Sequence, residues 1–356
     1  MMAFTDNSDP TAYLRALLTT EDRQRVEIIE KVKTTYFTSG RDGDLARLLR
    51  RLTENAQIRR DPDRPHSGSN RVEGKGLCII GPSGSGKSTL LEETFRTHPA
   101  FPNFRVPEKW SPLIGITAPG SGNLGAVSLR GLQTLGFSVE RDLREHQAWS
   151  KLVPELMLNN ILFFWIDDLN NMLTLTSEEE LQKVRNSLKD LMNNPEWPLQ
   201  MIVSGIPEML PFFRQDRQFR RRFRYLYLSK LEPTDHAGFL QSAIEHLCET
   251  GKVKLDVKPD EDLAGRLLHA GAYEMGLCIE IVVEAIMEAL DGNSRKLRRV
   301  NFANSFADRF TLSDDQNPFV ATGWHAIDIT RLYSKDDEKI DDTVTPVGRK
   351  RRGRKS

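Results

Sequence analysis

A glycine-rich segment at residues 77–91 carries the clearest chemistry in this sequence. An apolar run, Leu77-Cys78-Ile79-Ile80, leads into Gly-Pro-Ser-Gly-Ser-Gly-Lys-Ser-Thr, which fits the P-loop pattern G-x-x-x-x-G-K-[ST]. Glycines let the backbone N–H groups of such a loop turn towards a phosphate, and the N-terminus of the following helix adds favourable charge. We therefore expect this segment to bind a nucleoside triphosphate. The alternative is a chance glycine turn, against which the strand-like run before it and the helical residues after it both count.

Nine consecutive residues form the predicted nucleotide site: Gly81, Pro82, Ser83, Gly84, Ser85, Gly86, Lys87, Ser88 and Thr89. We expect the ammonium group of Lys87 to contact the β- and γ-phosphate oxygens and the hydroxyl of Ser88 to complete the coordination of Mg²⁺. The predicted cofactors are therefore ATP and Mg²⁺, and the predicted activity is ATP hydrolysis.

Two acidic residues end the most apolar run in the chain. Residues 161–166 read Ile-Leu-Phe-Phe-Trp-Ile, and Asp167 and Asp168 follow them. Beside a P-loop, the first carboxylate at such a strand end can hold the water shell of the metal, and the second can act as a base on the attacking water. We assign the metal role to Asp167 and the catalytic role to Asp168. The alternative is a pair of carboxylates that cap the next helix.

Ser204 follows another apolar run, residues 199–203. A polar side chain at that place can hydrogen-bond the attacking water or the γ-phosphate. Equally, a serine there can open a turn before Gly205.

A basic stretch occupies residues 213–224. Its arginines recur at the 3-4-3 spacing of a helix, at Arg214, Arg217, Arg221 and Arg224. Nearby phenylalanines can turn inward, at Phe212, Phe219 and Phe223. Such a run is commonly a solvated face. However, Arg221 and Arg222 lie where a helix leads into the next strand, and in a ring of subunits an arginine there can stabilise charge on the neighbour's phosphoryl group.

The charge balance limits the kinds of partner. The 356 residues include 50 Lys and Arg and 50 Asp and Glu, which gives a formal net charge of +0. Any contact with nucleic acid must therefore use local basic patches and not overall charge.

Cysteine usage and hydropathy indicate the compartment. Cys78, Cys248 and Cys278 are too few and too scattered for a disulfide framework or a zinc cluster, so we expect buried thiols in a reducing cytosol. No apolar run approaches the roughly 20 residues that span a bilayer, and the N-terminus has no secretory core. We expect a soluble cytoplasmic protein with no membrane partner.

Strands alternate with helices through the middle of the chain. Predicted strands are residues 77–80, 111–118, 161–166, 199–203 and 225–228, and the predicted helices between them are 124–135, 149–158 and 177–192. This alternation predicts an α/β fold with a doubly wound parallel sheet. Later helical patterns at 235–250, 261–270 and 279–290 predict a small all-α lid domain.

The predicted organisation has four parts. A helical N-terminal segment occupies residues 1–60, with a helix at 44–55, and the P-loop α/β domain follows at 61–232. The helical lid covers 233–300, and a C-terminal extension covers 301–356.

Two further basic features are candidates for DNA contact. The first flanks the second strand and could line the pore of a ring; it comprises Lys109, Thr117, Ser121 and Arg130. The second is a compact cationic tail at residues 349–355. That tail could be an arm on the DNA backbone, a docking segment for a partner protein, or an aid to solubility.

The order of these features resembles the AAA+ ATPases of the TniB/TnsC group, which are regulators of DNA transposition. The resemblance extends from about residue 21 to residue 319, and its most specific part is the D-x-Q-x-x-x-R-F run at residues 216–223. The other matching pieces are the lead-in ending at Tyr36, Pro82 to Lys87, Ala118-Pro119, Leu135-Gly136, Ile166-Asp167-Asp168, residues 185–189, Val203-Ser204-Gly205 with Glu208, and Asn317-Pro318-Phe319.

The resemblance implies an AAA+ P-loop domain that assembles on double-stranded DNA as an ATP-dependent ring or helical filament. In that role the assembly links a target-selection protein to a transposase of the DDE type; ATP binding favours assembly and hydrolysis resets it. The matching run also implies that Arg222, rather than Arg221, is the arginine that acts on the neighbouring subunit.

Two positions depart from the family pattern. The family has Glu where this chain has Asp168, and a His soon afterwards where this chain has Asn170 and Asn171. The shorter carboxylate predicts slow hydrolysis. Residues 271–280 include Glu274 but no basic residue, so the sequence offers no arginine from the lid to the γ-phosphate.

Other P-loop proteins remain as alternatives. One is a signalling or defence switch of the STAND/NLR kind, in which a P-loop module gates an effector; such switches carry a repeat sensor or an effector domain, which this sequence does not show. Another is an initiator-like or clamp-loader-like ATPase, which usually has a recognisable DNA-binding domain or a lid arginine.

Overall fold

The computed structural model describes residues 9–120, 124–137, 145–173, 177–258, 261–292 and 295–333. The strands are β1 (Gly76–Ile80), β2 (Leu113–Thr117), β3 (Phe163–Asp167), β4 (Gln200–Gly205), β5 (Phe223–Tyr227), β6 (Lys254–Leu255) and β7 (Lys296–Leu297). The α-helices are α1 (Pro10–Leu17), α2 (Thr20–Lys33), α3 (Gly40–Gln57), α4 (Lys87–Thr97), α5 (Leu124–Thr134), α6 (Glu145–Leu158), α7 (Asn170–Leu173), α8 (Glu178–Asn193), α9 (Leu210–Arg214), α10 (Arg217–Arg222), α11 (Pro233–Thr250), α12 (Leu263–Ala270), α13 (Met275–Asp291), α14 (Arg299–Phe310) and α15 (Thr330–Tyr333).

The chain folds into two compact units. The sheet unit comprises the described residues of 34–231 together with 274–277, and the helical unit comprises those of 1–33, 232–273 and 278–356. Every element of the predicted nucleotide site belongs to the sheet unit.

The sheet unit is built on a five-stranded sheet in the order β2-β3-β4-β1-β5. Every neighbouring pair of strands is parallel. Parallel strands covered on both faces read as continuous apolar runs, and all residues of β1, β3 and β4 are buried. This is why the five runs identified in the sequence correspond to the five strands of this sheet.

Side chains that alternate along each strand enter two separate apolar cores. Leu77 and Ile79 pack with residues of α3 and α4 on one face, among them Leu49 and Phe95. On the other face, Cys78 and Ile80 pack with residues of α5, α6, α8, α9 and α10. Successive side chains of a strand point to opposite faces, so this division gives the predicted doubly wound arrangement.

Two sequence expectations about local structure are wrong. β4 continues through Ser204 to Gly205, so Ser204 lies inside the strand and does not follow it. The basic stretch is not one helix with 3-4-3 spacing: α9 ends at Arg214, and α10 starts after Asp216, whose carboxylate accepts the backbone N–H groups of Gln218 at 2.8 Å and Phe219 at 3.0 Å. An N-cap of this kind starts a new helix.

The phenylalanines of that stretch are buried, as expected. Phe212, Phe219 and Phe223 are each at most 4% exposed. The centroids of the Phe219 and Phe223 rings lie 5.2 Å apart in a stacked arrangement. These rings fix α9 and α10 against the sheet, and the arginines occupy the remaining positions.

The helical unit contains α1, α2, α11, α12, α14, α15 and α13 from Cys278 onwards, with a two-residue parallel pair between β6 and β7. The Asn317-Pro318-Phe319 segment belongs to its core: the Phe319 ring centroid lies 5.3 Å from that of Phe302 and 5.7 Å from that of Phe306. Cys78, Cys248 and Cys278, which all lie in the described part of the chain, are buried and form no disulfide bond there. None of the described helices is both long enough and apolar enough to cross a membrane.

Candidate functional site

The P-loop connects the end of β1 to the start of α4. Gly84 and Gly86 have φ values of +77° and +89°, in the left-handed region that favours glycine. A Cβ at Gly84 would also lie 2.4 Å from Cγ of Leu277. The loop therefore requires glycine at both positions, for backbone conformation at each and for space at Gly84.

Lys87 is held against the loop that precedes it. Its side chain is largely buried, with 6% exposure. The ammonium group donates hydrogen bonds to the carbonyl oxygens of Gly81 at 2.9 Å and Pro82 at 2.8 Å. The cation is thus fixed on the phosphate-binding loop by the loop's own backbone.

Three carboxyl groups act on the Lys87 ammonium: Asp168, Asp167 and Glu274. Burial lowers the pKa of Lys87, and these carboxylates oppose that effect. Burial and the neighbouring charge of Asp167 raise the pKa of Asp168, against the pull of Lys87. The lysine and the acidic residues predicted from separate motifs therefore lie at one site.

Asp167 is oriented by a buried chain of hydrogen bonds. The indole N–H of Trp165 donates to Oγ of Ser204 at 3.0 Å, and the Ser204 hydroxyl donates to Oδ1 of Asp167. Ser204 is 0% exposed. Because its single proton goes to Asp167, Ser204 positions that carboxylate in this structure.

The residues of the site fit a bound triphosphate. Ser85 is 1% exposed, and its hydroxyl has no hydrogen-bond partner. A buried unpartnered hydroxyl costs free energy that an acceptor such as a phosphate oxygen would recover. Ser88 lies in the first turn of α4, beside Lys87. Loop glycines, lysine, hydroxyls and carboxylates together make the donor and acceptor set that ATP and Mg²⁺ require.

Arg221 and Arg222 lie at the opposite edge of the sheet from the P-loop, where the N-terminal ends of β1 and β5 meet. Phe223, which follows them, pairs with Gly76 at the start of β1, whereas the P-loop follows Ile80 at its end. At about 3.3 Å per residue, the two ends of this strand are roughly 13 Å apart. The arginines are therefore remote from the nucleotide loop of their own chain.

The two arginines differ in their surroundings. Arg222 is 13% exposed in its side chain and forms an ion pair with Glu73 at 2.9 Å. Arg221 is exposed. Of the two, Arg221 can reach another molecule without breaking an ion pair.

The candidate DNA contacts do not form one cluster. Arg130 donates to the carbonyl oxygen of Thr117 at 2.6 Å, so these two lie together at the end of β2. Lys109 lies before the start of β2 and lines an open cavity of about 620 Å³ with Trp110. Ser121 and the cationic tail at 349–355 lie outside the described residues.

Two residues near the loop were missed by sequence reasoning as parts of the site. Arg41, in the first turn of α3, donates to the carbonyl oxygens of Ser85 at 3.0 Å and of Ser229. Glu274 acts electrostatically on both Arg41 and Lys87. Ser39 and Asp42 form a capping box at the start of α3, which begins at Gly40 and therefore before the predicted helix at 44–55. No local sequence signal indicates that this helix end contacts the loop.

The comparison with protein families decides the identity of this region. The sequence model of the family described as bacterial TniB protein matches residues 63–233. Residues 63–233 belong to the TniB family. They include the whole P-loop, Asp167, Asp168 and the basic stretch, so the resemblance seen in the sequence is confirmed there. No curated protein sequence gives a significant match to the chain.

Solved structures resemble this chain in fold. The ORC1 protein of Aeropyrum pernix, in complex with DNA, aligns with a TM-score of 0.55 and 13% identity over 81% of this chain and 70% of that one. The ADP form of the ORC2 protein of Aeropyrum pernix gives 0.52 and 17% over 81% and 75%. The Cdc6p protein of Pyrobaculum aerophilum gives 0.51 and 12% over 78% and 69%. These matches and the five-stranded parallel sheet show an α/β P-loop fold of the AAA+ type.

Proposed function

We propose that this TniB-family protein binds ATP with Mg²⁺ at the P-loop and hydrolyses ATP. The observation that carries the proposal is the electrostatic interaction of Lys87 with Asp167 and Asp168, beside a loop that requires glycine at two positions. The ORC2 protein of Aeropyrum pernix, which shares the fold, has been solved in ADPNP-ADP complexes, and this supports a nucleotide as the ligand.

Mg²⁺ would be held by the hydroxyl of Ser88 and, through water, by the carboxylate of Asp167. It would neutralise charge that develops on the β- and γ-phosphate oxygens. The described residues contain no group of three or more His, Cys, Asp or Glu side chains that could hold a metal ion. Phosphate oxygens and water must therefore complete its shell, which is usual for Mg²⁺.

Asp168 is the proposed base. It directly follows the metal-holding residue, and its raised pKa increases its tendency to accept a proton from the attacking water. The Asp167 carboxylate is kept in place by Ser204, which we assign a positioning role. Slow hydrolysis is expected, because the aspartate side chain is one methylene shorter than the glutamate of the family pattern.

We further propose that the protein assembles on double-stranded DNA as a ring or helical filament in the cytoplasm and regulates transposition. The match of residues 63–233 to the TniB family supports this role, as does the DNA-bound ORC1 neighbour. A chain with a formal net charge of +0 lacks a strong field of its own, so several subunits must align their basic side chains. In this role the assembly would connect a target-selection protein with a DDE transposase.

An arginine of one subunit would act on the nucleotide of the next. Arg221 and Arg222 cannot serve their own P-loop, because they lie at the opposite edge of the sheet. Arg222 is the candidate that the family pattern favours, although it would have to leave Glu73. Arg221 is the exposed alternative.

Nucleotide binding is tested with Lys87→Ala. Removing the ammonium group should abolish ATP binding in equilibrium titration, because this buried cation lies on the phosphate-binding loop. Lys183→Ala, at an exposed position of α8, is the matched control and should bind as the parent does. Equal ATP affinity in all three proteins would show that the P-loop is not the site.

Assembly is tested by negative-stain imaging with double-stranded DNA. Rings or filaments should form with a non-hydrolysable ATP analogue and be absent with ADP. If neither nucleotide supports DNA-bound assemblies, the transposition role fails and the switch hypothesis gains support.

A further inference from the structure

Glu274 is a buried carboxylate without partners. It is 2% exposed, and both of its carboxylate oxygens are buried with no hydrogen bond. Burial raises the pKa of this carboxyl, against the pull of Lys230, Arg41 and Lys87. Burying a carboxylate without a hydrogen-bond partner costs more folding free energy than burying most other groups. The presence of Glu274 at this place therefore calls for an explanation.

The segment that carries Glu274 lies directly on the P-loop. Residues 274–277 belong to the sheet unit, and the N–H of Leu277 donates to the carbonyl oxygen of Gly84 at 3.1 Å. A Cβ at Gly276 would lie 2.5 Å from that same oxygen. Arg41 bridges the two segments, because its guanidinium lies 3.0 Å from the Ser85 carbonyl oxygen and 3.8 Å from Sδ of Met275.

Ordinary structural roles do not account for this carboxylate. Glu274 precedes the first residue of α13, yet it accepts no backbone N–H and so does not cap the helix. Lys230, Arg41 and Lys87 act on it only through space, without a hydrogen bond. The two residues before it, Ala272 and Tyr273, have φ values of 50° and 64°, a left-handed conformation that is costly for non-glycine residues. Strain of this kind is typical of functional positions.

We propose that Glu274 accepts a hydrogen bond from a donor on the nucleoside part of the bound nucleotide, and so selects nucleotides that carry this donor. Two nucleoside groups have this chemistry, the ribose hydroxyls and the exocyclic amine of adenine. The ionised phosphates have no donor and repel a carboxylate. This inference rests on the proposed binding of ATP at the P-loop.

The test compares ATP with three analogues that each lack one donor group: 2′-deoxy-ATP, 3′-deoxy-ATP and purine riboside triphosphate, in which hydrogen replaces the exocyclic amine. Equilibrium affinities are measured for the parent, Glu274→Gln and Glu274→Ala, with Glu179→Gln, at an exposed glutamate of α8, as the matched control. The parent and control should bind the analogue that lacks the recognised donor roughly 10- to 100-fold more weakly than ATP, since a hydrogen bond to a charged group is lost. That analogue identifies the donor.

In Glu274→Ala the discrimination should fall to near unity, and Glu274→Gln, which keeps an acceptor oxygen of the same shape, should retain part of it. If the parent binds all four nucleotides equally, or if both variants change all four affinities by one common factor, Glu274 does not select the nucleoside. In that case, ATP binding by the parent would still support the proposed nucleotide site at the P-loop. Failure of the parent to bind any nucleotide would overturn both proposals.

Discussion

The two edges of the five-stranded sheet that are formed by opposite ends of its strands differ in how their charged side chains are held. At the edge formed by the C-terminal ends of β1 and β3, the Lys87 ammonium donates a hydrogen bond to its own loop. The Asp167 carboxylate accepts one from Ser204. At the opposite edge, Arg222 is paired with Glu73 and Arg221 is exposed. The first edge is a site largely preorganised within one chain. The second lies away from the P-loop of its own chain, and in the proposed assembly it would act on a neighbouring subunit.

Preorganisation at the first edge comes with unsatisfied groups. Ser85 and Glu274 are buried without partners, which destabilises the nucleotide-free protein and favours binding of a ligand that satisfies them. Active sites commonly sacrifice stability in this way. Variants at this edge should therefore change ATP chemistry or stability, whereas variants at exposed basic surfaces should change contacts with other molecules.

DNA binding should show the largest effect, because it depends on many exposed charges. With a non-hydrolysable ATP analogue, log affinity should fall with log salt at a slope of about −0.9 per phosphate contacted. A complex with about 6–10 such contacts would lose roughly 10³–10⁵ in affinity between about 50 and 200 mM salt. Arg130→Ala should reduce the slope by about 0.9 if this side chain contacts one phosphate. Titrations by fluorescence anisotropy across salt concentrations measure both. Tight, salt-insensitive binding without ATP would contradict an assembled DNA complex.

Asp168→Asn should reduce ATP turnover by about 10²–10⁴-fold, the usual contribution of a general base, while ATP binding is kept. DNA-bound assemblies should then last longer, because in the proposed cycle hydrolysis resets them. Steady-state phosphate release and equilibrium titration give the two quantities, and Asp190→Asn, at an exposed position of α8, is the control. Parent-like turnover in Asp168→Asn would assign the base elsewhere.

Ser204→Ala should lower kcat by about tenfold and leave the ATP affinity nearly unchanged, because it releases Asp167, the proposed metal ligand, without touching the P-loop. It also leaves the Trp165 indole N–H and the Asp167 carboxylate without their shared partner, so the free energy of unfolding should fall by about 1–3 kcal/mol. Ser204→Thr, which keeps the hydroxyl, should recover turnover. A loss of stability with unchanged kcat would reduce Ser204 to a purely structural residue.

Glu274→Gln should stabilise the nucleotide-free protein at neutral pH by about 1 kcal/mol, which corresponds to roughly 2–4 °C in Tm. The pKa of Glu274 is raised in the folded state by burial, so the parent loses stability as the pH rises through that value. Below about pH 4 the carboxyl is protonated both folded and unfolded, and the difference should vanish. Melting curves across this range test the sign; a destabilised Gln variant at neutral pH would mean that the carboxylate has a partner.

The sequence predicted those structural elements that are determined by residues close to one another in the chain. Apolar runs locate all five strands of the main sheet, and the P-loop spacing locates Lys87 and Ser88. The end of β4 was misplaced because pairing with β1 sets it: Ile79 and Ile80 pair with Ser204 and Gly205. The gap between α9 and α10 depends on one capping residue, Asp216.

Contacts between distant parts of the chain have no signal in a single sequence. Arg41 and Glu274 precede and follow the P-loop by long stretches of chain, and only the fold brings both to its surface. The same limit applies to Arg222: its sequence pattern indicates a role between subunits, while its pairing with Glu73 is visible only in three dimensions.

The most direct test of ATP hydrolysis between subunits mixes two variants, one without the P-loop lysine and one without an arginine of the opposite edge. Lys87→Ala removes the nucleotide edge, and Arg221→Ala or Arg222→Ala removes one arginine of the arginine edge. Alone, Lys87→Ala and the variant of the arginine that acts in trans should each hydrolyse ATP far more slowly than the parent. In an equal mixture, about one interface in four joins an intact P-loop to an intact arginine, so hydrolysis should recover to about that fraction of the parent rate for whichever arginine acts in trans. Arg220→Ala, from the same helix, should be active alone. No recovery with either arginine variant, at concentrations where the parent assembles, would contradict the account.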